Sequence, residues 1–505
     1  MAHRMNRVLA ATLIALGTAC LLAPTQAALA QSAEDNVPDA AAVAALRERL
    51  EVLAHELRVL EAKPASVAGA VDAPLLETLA PADALHELDQ KLRILERRLE
   101  LDREKQTEAA KTTPVTGAGQ GGFQLRSADN SFQLRFRGLV QSDSRFFLGE
   151  DTVQGVDTFL LRRVRPTFEG TVFKYFDFRL MPDFGGGTTV LQDAYIDLRL
   201  RPFAKVRVGK QKQPFGIERL LSASSLPFVE RALPTAVAGN RDVGVVLYGD
   251  VMKDRLSYWA GVFNGVTDGA SADADDGHGK DVVGRFMVHP FRGTGHERVE
   301  GLGAGFAASY GSQRGALLLP GLATYRSSGQ QVFFRYRTDA TTAGTAVADG
   351  TRYRLSAQGY LYSGRLGVLA EQVFSSQEVR LDLTRDTLGA NSWQVLGSWV
   401  LTGERASVNG VTPRDAFEPS SGRIGAFEVT ARYHQLSTDS DAFPTFANPL
   451  VAARAAKAWA AGVNWYLNRS IKVTTNYEQT RFEGGAAVGD RPTEHDVLTR
   501  VQFGF

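Results

Sequence analysis

Arg163 and Arg165 stand two residues apart in a stretch, 158–216, whose charged positions keep a period of two. Thr167, Glu169 and Thr171 share their odd parity, while Leu160, Val164, Phe168 and Val172 take the even positions. A guanidinium presents a planar fork that bonds two oxygens of a phosphate or carboxylate, and it stays charged at any physiological pH. A row of such forks suits the holding of oxyanions. The parity resumes in Asp177 and Arg179 against Phe176, Phe178 and Leu180. It resumes again in Asp193, Tyr195, Asp197 and Arg199 against Ala194, Ile196 and Leu198. Upstream, Arg135 and Arg137 alternate with Leu134 and Phe136. Arg162 has the apolar parity, which assigns it to a rim or a contact between protomers, with a pore-lining position as the alternative. Arg179 and Arg199 lie beside Asp177 and Asp197, so satisfied ion pairs are the plainer reading of both.

Covalent chemistry finds no support. The chain contains no Gly-x-Ser-x-Gly, no His-Glu-x-x-His and no phosphate loop, and its eight histidines are scattered. The acidic stretch 271–281 lacks calcium-loop spacing and reads as a solvated loop tip; a divalent site bridging lipopolysaccharide is the alternative. No catalytic residue, metal or cofactor is expected.

Alternation over about ten residues, broken by brief turns, means antiparallel strands that are apolar on one face only. Such runs recur from Phe123 to the final strand, Val497, Thr499, Val501, Phe503 and Phe505. A sandwich would share the pattern, but two features favour a membrane barrel. Turns near 174, 203, 253, 364 and 469 are short. The stretches 146–156, 183–190, 214–241, 264–281, 311–351, 381–391, 437–456 and 482–495 read as longer polar or glycine-rich loops, as expected when the two ends face different compartments. The connections 290–300 and 403–421 are long for the short-turn end. The second feature is a phenylalanine ending the chain on an alternating strand, which resembles the address by which outer-membrane barrels reach the barrel-assembly machinery. The expected fold class is all-β, a transmembrane antiparallel β-barrel of about 16 strands, over 123–505.

Residues 1–30 read as a secretory signal peptide, with Arg4 and Arg7 before an apolar run and Ala28-Leu29-Ala30 at its end. Cys20, the only cysteine, lies within it. The formal net charge is +1, and losing those two arginines makes it −1, so bulk charge does not point to nucleic acid or to any other partner. Over 31–111, Leu46, Leu50, Leu53, Leu57 and Leu60 form one seam of heptad spacing. Leu85, Leu88, Leu92, Leu95 and Leu99 form a second, with Asp83 as its N-cap. A coiled coil between copies or a helical hairpin would cover these seams, in a periplasmic segment. Residues 112–122, with four glycines, read as a linker.

Phe-Leu-Leu-Arg-Arg-Val-Arg-Pro-Thr (159–167), Leu-Gln-Asp-Ala-Tyr (191–195) and Val-Gly-Lys-Gln-Lys-Gln-Pro-Phe-Gly (208–216) resemble the phosphate-selective porin O/P family. Glu-Arg-Ala-Leu-Pro (230–234), Asn-Arg-Asp-Val-Gly (240–244) and Asn-Trp-Tyr-Leu-Asn (464–468) do so as well. The resemblance implies a homotrimer of 16-stranded barrels in the bacterial outer membrane, among lipid and lipopolysaccharide. It also implies an infolded third loop, matching 214–241, and an arginine ladder leading phosphate or other small anions to a constriction. Lys210 and Lys212 stand at the root of that loop, and Asp197 would hold one guanidinium and temper affinity. Arg326, Arg335 and Arg337 occupy the large loop where the family places its ladder. The implied anion-binding set is Arg135, Arg137, Arg162, Arg163, Arg165, Asp197, Arg199, Arg207, Lys210, Lys212, Arg219, Arg326, Arg335 and Arg337. Arg231 and Arg241 would bind anions too or pin the loop. A general or differently selective porin on the same scaffold is the nearest rival; a lipid-acting barrel enzyme and an envelope anchor are further ones.

If the leucine seams drive assembly, a peptide spanning 40–111 should self-associate in sedimentation equilibrium. A peptide that stays monomeric at high concentration would remove that role.

Overall fold

A computed structural model describes residues 81–119, 121–149, 155–275 and 279–505. The signal peptide and the first leucine seam, 46–60, lie outside the described residues. The chain divides into two compact units at Pro114/Val115.

In the N-terminal unit, helix α1 (Pro81–Thr112) contains Asp83, so that residue lies inside the helix and does not cap it. The helix runs through 107–112 and stops before Pro114, because the residue preceding a proline is driven out of helical geometry. Leu92, Leu95 and Leu99 are half-buried, while Ile94 is 55% exposed. Arg93–Asp89 and Arg97–Glu100, each 3.0 Å, brace neighbouring turns.

The C-terminal unit starts with a hairpin, β1 (Val115–Gly119) and β2 (Gly122–Arg126), so the glycine-rich segment expected as a linker holds a strand. There follow β3 (Gln133–Phe147), β4 (Thr158–Val172), β5 (Phe176–Asp183), β6 (Val190–Arg201), β7 (Ala204–Lys212), β8 (Arg241–Val251), β9 (Leu256–Phe263), β10 (Asp281–Val288) and β11 (Gly301–Arg314). A two-stranded hairpin, β12 (Thr324–Arg326) with β13 (Val332–Arg335), lies in the next loop. The last strands are β14 (Val347–Ser363), β15 (Leu366–Leu381), β16 (Thr384–Val400), β17 (Ala426–Thr438), β18 (Ala453–Tyr466), β19 (Ile471–Gly484) and β20 (Glu494–Gly504).

Apart from β12 and β13, each strand from β3 onward pairs antiparallel with the next, and β20 closes on β3 with Gly504 opposite Leu139. The result is a closed barrel of sixteen antiparallel strands among the described residues, as the alternation implied. Closure removes the open edges that a flat sheet would leave without partners in lipid. Exposed apolar side chains follow the expected parity on the outer face, Phe168, Ile196, Val245, Phe306 and Trp399 among them. The turn after β4 is tight, with Phe173 at φ 50° and Lys174 at φ 65°, the left-handed conformations whose twist matches antiparallel strands.

One expected loop is absent. Residues 381–391 are not a loop: Leu381 pairs with Thr384 across a two-residue turn, and β16 runs straight through the stretch. Composition misleads there because β15 and β16, 16 and 17 residues long, outreach the bilayer, and strand above the membrane has no need of an apolar face.

At the seam, Gly138 and Phe505 exchange backbone hydrogen bonds of 3.2 and 3.1 Å. The Phe505 ring lies 5.7 Å from those of Phe123, Phe136 and Phe503. Replacing Phe505 with Asp puts a charge in that cluster, so secretion should persist while heat-modifiable barrel in the outer membrane falls severalfold. Unchanged assembly would show that the C-terminal ring is dispensable.

Candidate functional site

The segment 213–240 leaves the wall between β7 and β8 and crosses the lumen to the opposite strands. Its apolar residues Phe215, Leu226, Phe228, Val229, Leu233 and Val237 are at most 4% exposed, which a loop in water would not permit. A short helix, α2 (Ile217–Leu220), has its first amides bound by Glu371 of β15. Beyond it the wall bonds the loop backbone directly. Gln141 and Gln502 donate to the carbonyls of Ala223 and Ser224, each 3.1 Å. Lys472 and Asn464 donate to those of Leu226 and Pro227 at 2.8 and 3.0 Å. Val229 N donates to Asn476 at 3.1 Å, Arg432 donates to Glu230 O at 3.0 Å, and Leu233 N donates to His434 Nδ1 at 3.2 Å. Backbone that cannot pair as a strand is thus satisfied by polar side chains of the lumen face.

Glu230 is the charged anchor. Arg162 Nε and Arg145 Nη2 donate to its Oε1 at 2.8 and 2.9 Å, with Arg500 Nη2 at 3.9 Å. Asp143 holds the Arg500 fork with two bonds of 2.7 Å. Burial alone would raise the Glu230 carboxyl, but the charge and hydrogen bonds of Arg162, with Arg163 and Arg500 nearby, hold it well below the usual carboxylate range.

Arg162 reaches Glu230 because of a bulge. Arg163 pairs with Gln141 and Leu161 with Ser142, leaving Arg162 as the extra residue. Parity flips there: Phe159 and Leu161 are 65% and 56% exposed, whereas Leu160, expected on the lipid face, pairs opposite buried Asp143. Both arginines of the pair therefore serve the lumen.

Two cavities flank the loop, about 870 Å³ toward the long-loop end and about 710 Å³ toward the short-turn end. Nine arginine and lysine side chains line the first against three carboxylates, Asp183, Glu230 and Asp268, so its field favours anions. Arg165, Lys212, Ala223 and Arg241 line both cavities. Arg165 bonds Asp183 at 2.7 Å and Arg241 bonds Asp193 at 2.8 Å, while Lys212 donates to the carbonyls of Leu220 and Leu221 at 3.1 and 2.8 Å.

The sequence-derived candidates scatter around this centre. Arg163 donates to Gln141 at 2.7 Å and lines the outer cavity, as do Arg219, bonded to the Thr235 carbonyl, and Arg326. Arg137 lines the inner cavity and shares Glu169 with Arg135 and Arg179. Arg207 lines it too; its fork meets Asp197 in two bonds of 2.8 Å and stacks 4.0 Å over Tyr195. Arg135 and Arg199 line neither cavity; Arg199 pairs with Asp177 near the short turn. Lys210 also lies outside both. Its register partners Ala194 and Val243 are on the outer-face parity, and its ammonium pairs with Asp273 of the loop 264–280. Arg335 is exposed away from the cavities, and Arg337 donates to the Pro444 carbonyl, tying two loops together. Sequence reasoning passed over Glu230, Arg145 and Arg500 as site residues. The Glu230-Arg231 motif and the shared inward parity of Asp143 and Arg145 were the available signals.

Glu230→Gln should release the loop, since breaking a buried charge cluster costs about 3–5 kcal/mol. Single channels should conduct more and flicker; unchanged conductance and noise would show the clamp is dispensable. The wild-type clamp contributes fully above the ordinary carboxyl value of 4.5 and fades only as pH falls toward the depressed folded value. Noise should therefore stay flat as pH is lowered to 4.5 and rise only below it, and a rise above 4.5 would contradict this.

The family model described as phosphate-selective porin O and P matches residues 132–505. Porin O of Pseudomonas aeruginosa is 23% identical over 408 residues, 76% of this chain and 91% of that protein. Among solved structures, the outer membrane channel DcaP of Acinetobacter baumannii aligns with TM-score 0.49 and 12% identity, over 76% of this chain and 100% of that one. OmpT of Vibrio cholerae in its trimer form aligns with TM-score 0.45 and 12% identity, over 74% and 100%. With the family model spanning the whole barrel from the start of β3, this chain belongs to the phosphate-selective porin O and P family of outer-membrane channels.

Proposed function

We propose that the protein is a passive channel for phosphate or related oxyanions, selective at the ring formed by Arg165, Lys212 and Arg241. The observation that carries this reading is that these three cations line both cavities, so a solute passing between the two meets all of them. Asp183 and Asp193 offset two of the charges, and Lys212 remains without a carboxylate partner among the described residues. A ring that is cationic but partly compensated draws anions in without trapping them, as conduction requires. Confinement beside an apolar loop lowers the local dielectric, so each charge counts for more than at an open surface. Arg163, one row above, adds a fork with no carboxylate in ion-pair range among the described residues.

The barrels would assemble as homotrimers, a reading supported by the family, with the helical segment on the periplasmic side. A chain beginning at Val115 should then fold but give an oligomer less stable to heat and detergent.

Replacing Arg163 and Arg165 together with Ser removes two cations and leaves Asp183 unpaired. Chloride–potassium reversal potentials should move toward non-selectivity, and phosphate should block chloride current about tenfold less effectively, equivalent to about 1.4 kcal/mol. Lys at both positions should keep charge selectivity yet weaken phosphate block, because the bidentate fork is lost. Wild-type selectivity and block in the double Ser variant would reduce these arginines to ordinary wall charges.

A further inference from the structure

We propose that the inner cavity contains a second subsite, for organic oxyanions that carry a planar ring, such as an aryl phosphate or an aromatic carboxylate. The inference rests on the channel reading above but concerns a different part of the wall. Three neighbouring strands place Tyr248 opposite Trp259 and Trp259 opposite Arg285. All three side chains line the 710 Å³ cavity, and Tyr195 faces it as well. The Arg285 guanidinium lies 4.6 Å from the Trp259 ring centre, and Gln358 Oε1 accepts from its Nε and Nη2 at 3.3 and 3.1 Å.

Arg285 differs from the other arginines here in its charge balance. Asp197 closes the fork of Arg207, and Glu169 and Asp193 share Arg179. No carboxylate lies within ion-pair range of Arg285 among the described residues, and its side-chain hydrogen bonds go to a neutral amide. Its charge is therefore available to a ligand. The rings beside it are fixed rather than mobile. Tyr248 donates its hydroxyl to Asp197 at 3.0 Å, and both Tyr248 and Trp259 pack against the apolar cluster that includes Leu233 and Val237 of the crossing loop.

Aromatic side chains on the lumen face are not needed to conduct a small hydrated ion. An inorganic anion engages only the Arg285 fork, whereas a ring-bearing one engages the fork and the Trp259 ring beside it; Arg207 already stacks over Tyr195 and lies 5.2 Å from the Tyr248 ring centre. The cavity volume accommodates a ring with its anionic group, and within a largely charged lining Tyr248 and Trp259 supply the apolar surface that a ring would cover. The site sits on the short-turn side of the loop, so a ring-bearing anion would meet it after the cationic ring on its way in.

The test is block of chloride current in planar bilayers by inorganic phosphate, methyl phosphate and phenyl phosphate, which share the same charged group. Phenyl phosphate should block the wild type at a concentration about fivefold lower than methyl phosphate. Trp259→Leu should abolish that preference while inorganic phosphate block stays within about twofold. Trp259→Phe, which keeps a ring, should retain most of it, and Arg285→Gln should weaken phenyl phosphate more than inorganic phosphate. Equal block of the wild type by phenyl and methyl phosphate overturns the proposal without any variant. So does a Trp259→Leu effect that is the same on all three anions. Loss of inorganic phosphate block with a preserved phenyl preference would instead sink the phosphate reading and leave this subsite standing.

Discussion

Glu230 brings a nearly buried carboxylate, 5% exposed, to the lumen, and Arg145, Arg162 and Arg500 surround it. Neither side of this cluster is stable without the other: the acid would be stranded in an apolar loop, and the arginines would repel one another across adjacent strands. The cluster therefore sets how deep the crossing loop sits. That depth separates the lumen into two cavities.

Around the clamp, apolar packing decides which side of the lumen remains open. Phe215, Leu233 and Val237 of the loop join Tyr325, Phe333 and Phe334 from the β12–β13 region and Phe446 from the loop 439–452. Against them lie buried inward residues of the wall, Val373, Val379, Leu388 and Leu436. Their burial excludes water from the side of the lumen formed by β15–β17. The open path is left against β4–β8, where the lumen rows carry arginine, lysine and aspartate. Channel and charge coincide because one face of the barrel is filled and the other is too polar to be.

The charged wall itself is mostly paired. Arg137, Arg179 and Arg135 share Glu169, Arg207 is closed by Asp197, and Arg199 by Asp177. Such pairs hold long side chains in fixed positions on a wet surface and keep the net field moderate. Arg163, Lys212 and Arg285, which have no carboxylate in ion-pair range among the described residues, each face a cavity. A porin lumen with every cation exposed would bind anions too strongly to pass them.

The sequence alone determined the barrel, its antiparallel order, its strand count and its two unlike ends, because strand parity and turn length are local properties of the chain. The resemblance carried by 159–167 and 208–216 led to the family, and only that resemblance implied that the long loop 214–241 folds inward. What it could not decide was which arginines meet the open path. Arg162 looked lipid-facing until a bulge, invisible to a period-two count, turned it inward to Glu230. Lys210 sits one residue from the lumen parity and lies under Asp273 instead, and Arg335 and Arg337 belong to a loop whose folding depends on distant partners such as the Pro444 carbonyl. Residues 381–391 had the polarity of a loop yet form strand above the bilayer. Parity tells which face of a strand a residue takes; only the closed barrel with its loop in place decides what that face meets.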